Sequence, residues 1–288
     1  MGNLLSGLED LGLGDLKDME VYEDPTKKAK EAAKAEVKPE EKKEKTEEEY
    51  LFLKLFICPV CDHEIRVPAV RTGKAKLVGS DTDLRPHYQG VDPLKYDAIV
   101  CPHCGYAAVT RFFPNMTNPQ AKLIRTHITP KFQAPAMPEG KFSYDDAILR
   151  HRLALVSAMV KRSKISERAY VCLKTAWLMR SKGEQLESQE EKALLEVQEL
   201  EFLATAFEGF VEAMSKEPFP ICGMDETTIS LMLAEIGRRI GKYDDASRFV
   251  SRIIMSRTAT ERIKSRAREI KDALLEDMKK AEENKPEG

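Results

Sequence analysis

Two short stretches of this 288-residue chain share one spacing: Cys58 and Cys61 in LFICPVCDHEIRV, and Cys101 and Cys104 in YDAIVCPHCGYAAV. The pattern C-x2-C-x39-C-x2-C constrains the fold more than any other feature, because four soft ligands must converge if they share one ion. A two-residue gap lets a tight turn aim both sulfurs at one point while backbone N–H groups face them. Pro59 and Pro102 set φ inside the turns. Gly105 follows the second pair, where such a turn calls for a left-handed residue, and Asp62 holds the matching place in the first. Runs rich in β-branched and aromatic residues, 53–57 and 97–100, lead into each pair as strands. The pattern predicts a structural four-cysteine zinc site, one Zn2+ per chain, with Cys58, Cys61, Cys101 and Cys104 as ligands.

Four thiolates leave no coordination position for water, which argues against hydrolytic metal chemistry. They also leave a net negative charge, and Lys54, Arg66 and Arg111 lie near enough in sequence to offset it. His63 and His103 adjoin ligands and are expected to face solvent or to support the ligands. CPHC also occurs at thioredoxin-fold thiol oxidants, where the first cysteine opens a helix. Here Gly105 follows at once and no βαβ pattern surrounds the pair, so thiol-redox catalysis is the weaker reading. Iron could replace zinc in four thiolates, but cluster spacing is absent. Cys172 and Cys222 read as small buried hydrophobes.

The rest of the chain divides by texture. Residues 1–49 read as a disordered charged arm. Leu4, Leu5, Leu8, Leu11, Leu13 and Leu16 are broken up by glycines, as in a tail or a short docking motif that folds on a partner. Residues 23–49 hold 10 acidic and 8 basic side chains and no apolar face. Residues 50–115 form the zinc-ribbon-like module. Residues 116–142 are a Pro-rich connector with a short helix near 119–125. Residues 143–283 are helical, with segments near 145–162, 166–182, 187–215, 226–240, 244–256 and 259–281; Pro218 and Pro220 end the third. YDDA occurs at 144–147 and again at 243–246, an offset of 99 residues, or three units near the tetratricopeptide period. In LMLAEIGRRIGKYDDASRFVSRII, Gly241 ends one helix, Ala246 permits close approach, and Val250 and Ile253 face inward. The expected fold is α+β, predominantly α: a small zinc-ribbon-like β module plus a tetratricopeptide-like α-helical hairpin domain.

Several function classes recede. No G-x-S-x-G, P-loop, H-E-x-x-H or G-x-G-x-x-G is present. Asp81 and Asp83 near His87 form the one carboxylate pair of interest, but a loop rich in turn formers favours turn or cap roles for them. The N-terminus lacks the marks of a secretory signal, and no eighteen-residue apolar window exists. A cytoplasmic protein without membrane insertion is expected. Net charge is −2, and residues 54–111 carry 8 basic and 6 acidic side chains without a basic aromatic stripe. Nucleic-acid binding is therefore second to a non-enzymatic role in which the helical surface binds a protein or peptide. Residues 184–226 hold 12 acidic and 2 basic side chains, and residues 238–271 hold 11 basic and 4 acidic. Stacked helices are expected to pair these charges; otherwise the basic stretch, 263–271 above all, faces an acidic partner.

CPVC, DTDLRPHYQGVDPLKYDAIVCPHCGYAA, AWLMRSKG, FPICGM and LAEIGRRIGKYDDASRFVSRII together resemble the bacterial family catalogued as domain of unknown function 2225, over about residues 50–260. The resemblance implies a zinc-ribbon-like module followed by tetratricopeptide-like helices in a cytosolic bacterial protein, with no established activity. Asp62 stands where the family's first knuckle more commonly has Gly, which touches only turn geometry.

Overall fold

A computed structural model describes residues 46–135 and 140–283. The leucine-rich tail, the charged stretch through residue 45, residues 136–139 of the connector and the last five residues lie outside the described residues. The fold is α+β and predominantly α, with seven α-helices and small antiparallel sheets among the described residues.

Three hairpins carry the strands. β1 (Leu51–Ile57) pairs with β2 (Glu64–Val70), β3 (Lys76–Ser80) with β4 (Pro86–Gln89), and β5 (Ala98–Val100) with β6 (Ala107–Val109). The first ladder closes with Ile57 opposite Glu64 and the third with Val100 opposite Ala107, so each cysteine pair sits at a hairpin tip. Period-two alternation buries Ile65 and Val67 of β2 while Glu64 and Arg66 face out. β4 and β6 are not anticipated by the sequence reading. β4 is four residues beginning with a proline, and β6 is three residues with two alanines, so neither carries a strand signature.

The helices are α1 (Asn118–His127), α2 (Tyr144–Val160), α3 (Ile165–Gly183), α4 (Gln189–Lys216), α5 (Glu226–Arg239), α6 (Tyr243–Met255) and α7 (Glu261–Glu283). Reciprocal capping boxes start two of them, Thr117 with Gln120 at α1 and Ser143 with Asp146 at α2. Ser188 and Asp225 cap α4 and α5. α5 is the most enclosed helix: Ile229 through Gly237 are all buried. It ends in a Schellman arrangement, with the Lys242 amide on the Gly237 carbonyl at 2.8 Å and the Gly241 amide on that of Arg238 at 3.2 Å. Gly241 has φ +76°, the left-handed conformation that turns the chain back into α6. A Cβ built on Gly237 would lie 3.2 Å from the Ala246 Cβ, so this helix pair approaches closely through small residues.

The cysteine-bearing hairpins do not stand apart from the helices. Val100, Ala107 and Val109 pack with Ala154 of α2 and Val171 of α3. The Ala107 amide donates to the Ser157 hydroxyl at 3.1 Å, and Arg150 donates to the Ala98 carbonyl at 3.3 Å. Lys174 of α3 pairs with Asp97 at the start of β5. The β5–β6 hairpin is thus buried on both faces, between the cysteine cluster and the helices. At about 1.5–3 kcal/mol per buried Val or Ile side chain, this joint is a major cohesive contact.

Candidate metal centre

The two knuckles repeat one backbone geometry. The amide of the residue after each second cysteine donates to the carbonyl of the first: Asp62 to Cys58 at 2.9 Å and Gly105 to Cys101 at 3.0 Å. One residue further, the Cys58 amide donates to the His63 carbonyl at 3.0 Å and the Cys101 amide to that of Tyr106 at 2.8 Å. Both turn residues adopt the left-handed region, Asp62 at φ +60° and Gly105 at φ +77°. Asp tolerates this conformation better than most side chains, which explains its place at position 62. At position 105 a second constraint applies: a Cβ would sit 2.5 Å from a ring carbon of Phe132.

The four Sγ atoms all lie within 4.8 Å of one another. Cys58 to Cys104 and Cys61 to Cys101 are each 3.6 Å apart. A disulfide needs about 2.05 Å. Ligands bound at about 2.3 Å on a tetrahedron are separated by about 3.8 Å. The two shorter separations are close to that spacing, so the cluster could close around one ion, and no disulfide joins any of the six cysteines. Cys58, Cys101 and Cys104 are buried and Cys61 is half-buried. Among themselves Cys58, Cys101 and Cys104 share charge unequally. Hydrogen bonds from Cys104 and Cys58 hold the Cys101 thiol far below its usual range. The contact with Cys101, opposed in part by the one with Cys104, pushes Cys58 up to about 12, and contacts with Cys101 and Cys58 push Cys104 higher still. A divalent cation removes this conflict, because each bound thiol then ionises. These residues could hold a metal ion, and a four-sulfur shell has no open position for a substrate.

A wall the sequence reading assigns to the connector encloses the cluster. Arg125 of α1 donates to the Val60 carbonyl at 2.8 Å, and Thr129 donates to the Cys104 carbonyl at 2.9 Å, so one short segment grips both knuckles. Ala121 and Ile124 join Val60, Ile65, Tyr106 and Phe113 in a small core around the sulfurs. Tyr106 and Phe113 stack at 5.1 Å, and the Tyr106 hydroxyl donates to the Phe113 carbonyl at 3.1 Å. The expected charge compensation by Lys54, Arg66 and Arg111 is corrected here. Lys54 lies over the Phe56 ring at 5.1 Å, Arg66 is exposed, and Arg111 donates to the Cys222 carbonyl beside Tyr170. The turn after β6 carries Arg111 away from the sulfurs and across to the helices. Near the cluster stand Arg125 and the buried Lys161, whose ammonium lies 5.7 Å from the Tyr106 ring and 2.7 Å from Glu167. His63 and His103 are exposed, with rings stacked at 4.1 Å, and His63 Nδ1 meets the Cys61 carbonyl at 2.9 Å.

A second polar constellation surrounds Asp81, Asp83 and His87, where the sequence reading has only a turn. The turn exists: the Asp81 amide donates to the Arg85 carbonyl at 2.9 Å, and the Leu84 amide to that of Asp81 at 3.0 Å. Its tip, however, is sunk against helices. Asp83 is fully buried and accepts from Trp177 at 3.1 Å and from Arg180 at 2.7 Å. Arg85 donates to Ser181 at 2.8 Å, to Glu184 at 3.0 Å and to Asp81 at 2.6 Å. Arg180 continues to Glu199 at 2.7 Å, and Arg266 of α7 donates to the Asp81 carbonyl at 2.9 Å. Burial pushes the Asp81 carboxyl up, but hydrogen bonds from Arg85, His87 and Arg180 outweigh it and hold the group well below its ordinary range. With every carboxylate engaged by arginine, the cluster offers no free general base; it clamps the β3–β4 tip to α3 and α7. A partial signal exists in the sequence: Trp177, Arg180, Ser181 and Glu184 fall on one face of a helix at i, i+3, i+4 and i+7.

Cys172 is buried in the helical core and Cys222 is half-buried; burial pushes each thiol up to about 11. The opposed charges of the helices are partly paired, with Arg239 to Glu199 at 3.6 Å and Lys242 to Glu208 at 3.1 Å. No helix among the described residues is long and apolar enough to cross a membrane.

Residues 51–274 match the family described as "Uncharacterized protein conserved in bacteria (DUF2225)". No curated protein and no solved structure matches the chain.

Proposed function

We propose a role for this chain from the premise that it belongs to that bacterial family: a cytoplasmic, non-enzymatic interaction protein whose four-cysteine site holds one structural zinc ion. The donor set carries the reading. Four thiolates at tetrahedral spacing satisfy zinc and leave no position at which it could bind substrate or activate water. The metal then acts on folding. The core around the knuckles is small, and an ion bound only by the folded chain adds its binding free energy to stability. The buried Arg–Asp cluster fits the same non-catalytic reading, since each acid is neutralised by a neighbouring base. Function then falls to the surface, and the helices provide most of it. Their arrangement is tetratricopeptide-like in the α5–α6 hairpin, where Gly241 and Ala246 take the places such a unit needs, and a protein or peptide is the partner class.

Affinity purification of the full chain from its native host, with metal and thiol counts on the same sample, tests the proposal. One zinc per chain, two titratable thiols (Cys172 and Cys222) and a protein that co-purifies reproducibly through salt washes support it. A catalytic turnover that needs Cys101 as a thiol, or retention of nucleic acid with no protein partner, overturns it.

A further inference from the structure

We infer that the groove between α2 and α4, floored by α3, is a docking site for a cationic amphipathic helix. This deepens the interaction role proposed above and rests on it. The exposed positions of α2 are Asp145, Leu149, Arg152, Val156 and Met159, a single stripe at alternating spacings of four and three. The face behind it is occupied by Ala147, Ala154 and Ala158, so the stripe is not needed for the core. An ordinary solvated stripe at this spacing is polar, yet three of these five are large apolar side chains.

The neighbouring helix repeats the anomaly. Leu194 and Val197 of α4 are 65% and 56% exposed, against 44%, 49% and 58% for Leu149, Val156 and Met159. The Arg152 guanidinium of the α2 stripe donates to the Gln198 side chain of α4 at 2.9 Å, so the two apolar sets adjoin. Between the helices runs a trough of about 430 Å3, with Ile148, Met179, Leu186 and Leu195 below its rim. Isolated apolar side chains are common on surfaces, but a contiguous set beside a trough of mixed lining marks an interaction site. Two helices flanking a third form the shape in which a helix lays down anchors at i, i+3 or i+4, and i+7.

Charge selects the occupant. Glu190, Glu191 and Glu201 of α4 are exposed, and none forms an ion pair among the described residues. Of the two cations at the trough, Lys182 pairs with Asp145 at 2.6 Å, and Arg152 donates to the neutral Gln198 and keeps its charge. Three unpaired glutamates against one unpaired arginine leave the rim net negative around its apolar anchors. A partner helix with Lys or Arg flanking a Leu-rich face complements both features. A second copy of this chain laid on the same face would set acidic α4 against acidic α4, which opposes self-association here.

The probe is a fluorescein-labelled designed peptide of about two to three heptads, with Leu on one face and Lys on the other. It is titrated by anisotropy against the full metal-loaded chain. Two controls are a scrambled peptide of equal composition and the same pattern with Glu in place of Lys. Binding at least roughly tenfold tighter than either control is expected, falling roughly tenfold in Leu149→Ser plus Leu194→Ser, and weakening with salt. Both substituted side chains are exposed, so the melting temperature should not move; Val156→Ser plus Val197→Ser serves as a second variant. Equal binding of the scrambled peptide, or unchanged binding by both variants, overturns the proposal. So does light scattering that shows a dimer dissociated by the substitutions. Repeating the native-host purification with the Leu149→Ser plus Leu194→Ser chain separates the two claims. A specific partner kept by the variant overturns the groove and leaves the interaction role standing, whereas no partner for either chain removes the interaction role itself.

Discussion

Replacing Asp83 by Ala tests whether the β3–β4 tip is clamped by buried charge. Asp83 is fully buried, and the Arg180 side chain it faces is 9% exposed, so solvent screening does little to weaken this pair. Removing one member of a buried pair costs about 3–5 kcal/mol, because the other charge is left uncompensated. Arg180 keeps Asp81 at 2.9 Å and Glu199 at 2.7 Å, which places the loss at the lower end. The Trp177 N–H loses its acceptor, for about 1 kcal/mol more. The sum is about 3–4 kcal/mol. For a folded region of this size that lowers Tm by about 8–12 °C. Glu184→Ala is the internal comparison. Its side chain is 54% exposed, so despite its contacts with Arg85 it should cost under about 1 kcal/mol. Urea denaturation of both variants, with Arg180→Ala and the Asp83→Ala plus Arg180→Ala double, completes a cycle whose coupling should reach about 1–3 kcal/mol. A two-stranded hairpin is marginal in water, and β3 is exposed along its whole length. If the tip undocks before the rest unfolds, amide exchange across residues 76–89 should accelerate in Asp83→Ala. Losses of Asp83→Ala and Glu184→Ala that match, or a coupling near zero with unchanged exchange, refute the clamp.

Three further outcomes follow from the same geometry. Cys101→Ser should lose the metal and expose residues 50–130 to protease while the helices from α3 onward keep their far-UV signal; a metal-loaded, protease-resistant variant contradicts the structural role. Gly105→Ala should cost more than about 1 kcal/mol in chemical denaturation, since it combines a left-handed φ of +77° with a 2.5 Å approach to Phe132; a neutral result contradicts the turn geometry. Asp81 has a depressed folded-state pKa, so its stabilisation is complete above about pH 5 and fades as pH falls through the folded value. The stability gap between the native chain and Asp81→Asn should therefore be flat above about pH 5 and narrow below about pH 4; a gap that widens on acidification refutes the assignment.

What was legible in the sequence was local. The knuckles declare themselves because a two-residue cysteine gap and the residue after it, Asp62 or Gly105, specify a turn within six positions. The breaks after α4 and α5 fall where Pro218 and Gly241 put them, because helix boundaries are set by nearest neighbours. The losses were all long-range. Arg111 is seven residues from Cys104, yet β6 and its turn deliver it to Cys222, so proximity in sequence misled. Arg125 and Thr129 grip both knuckles from a segment that reads as a connector, because nothing in NPQAKLIRTH announces what it packs on. Asp83 meets Trp177 and Arg180 across more than ninety residues, and no local rule distinguishes a turn aspartate in solvent from one buried against a helix. The exposed stripe of α2 was hidden for the opposite reason. Leu149, Val156 and Met159 are apolar, so periodicity alone assigns them to a core that the fold turns away from them.

The central claim is that Cys58, Cys61, Cys101 and Cys104 form one closed metal site that serves the fold. X-ray absorption at the metal edge of the purified full chain tests it most directly. The account predicts a zinc edge with four sulfur neighbours at about 2.3 Å and no nitrogen or oxygen in the inner shell, unchanged in His63→Ala plus His103→Ala. A nitrogen or water ligand on the metal, or a chain that carries no metal and pairs these cysteines as disulfides, would contradict it.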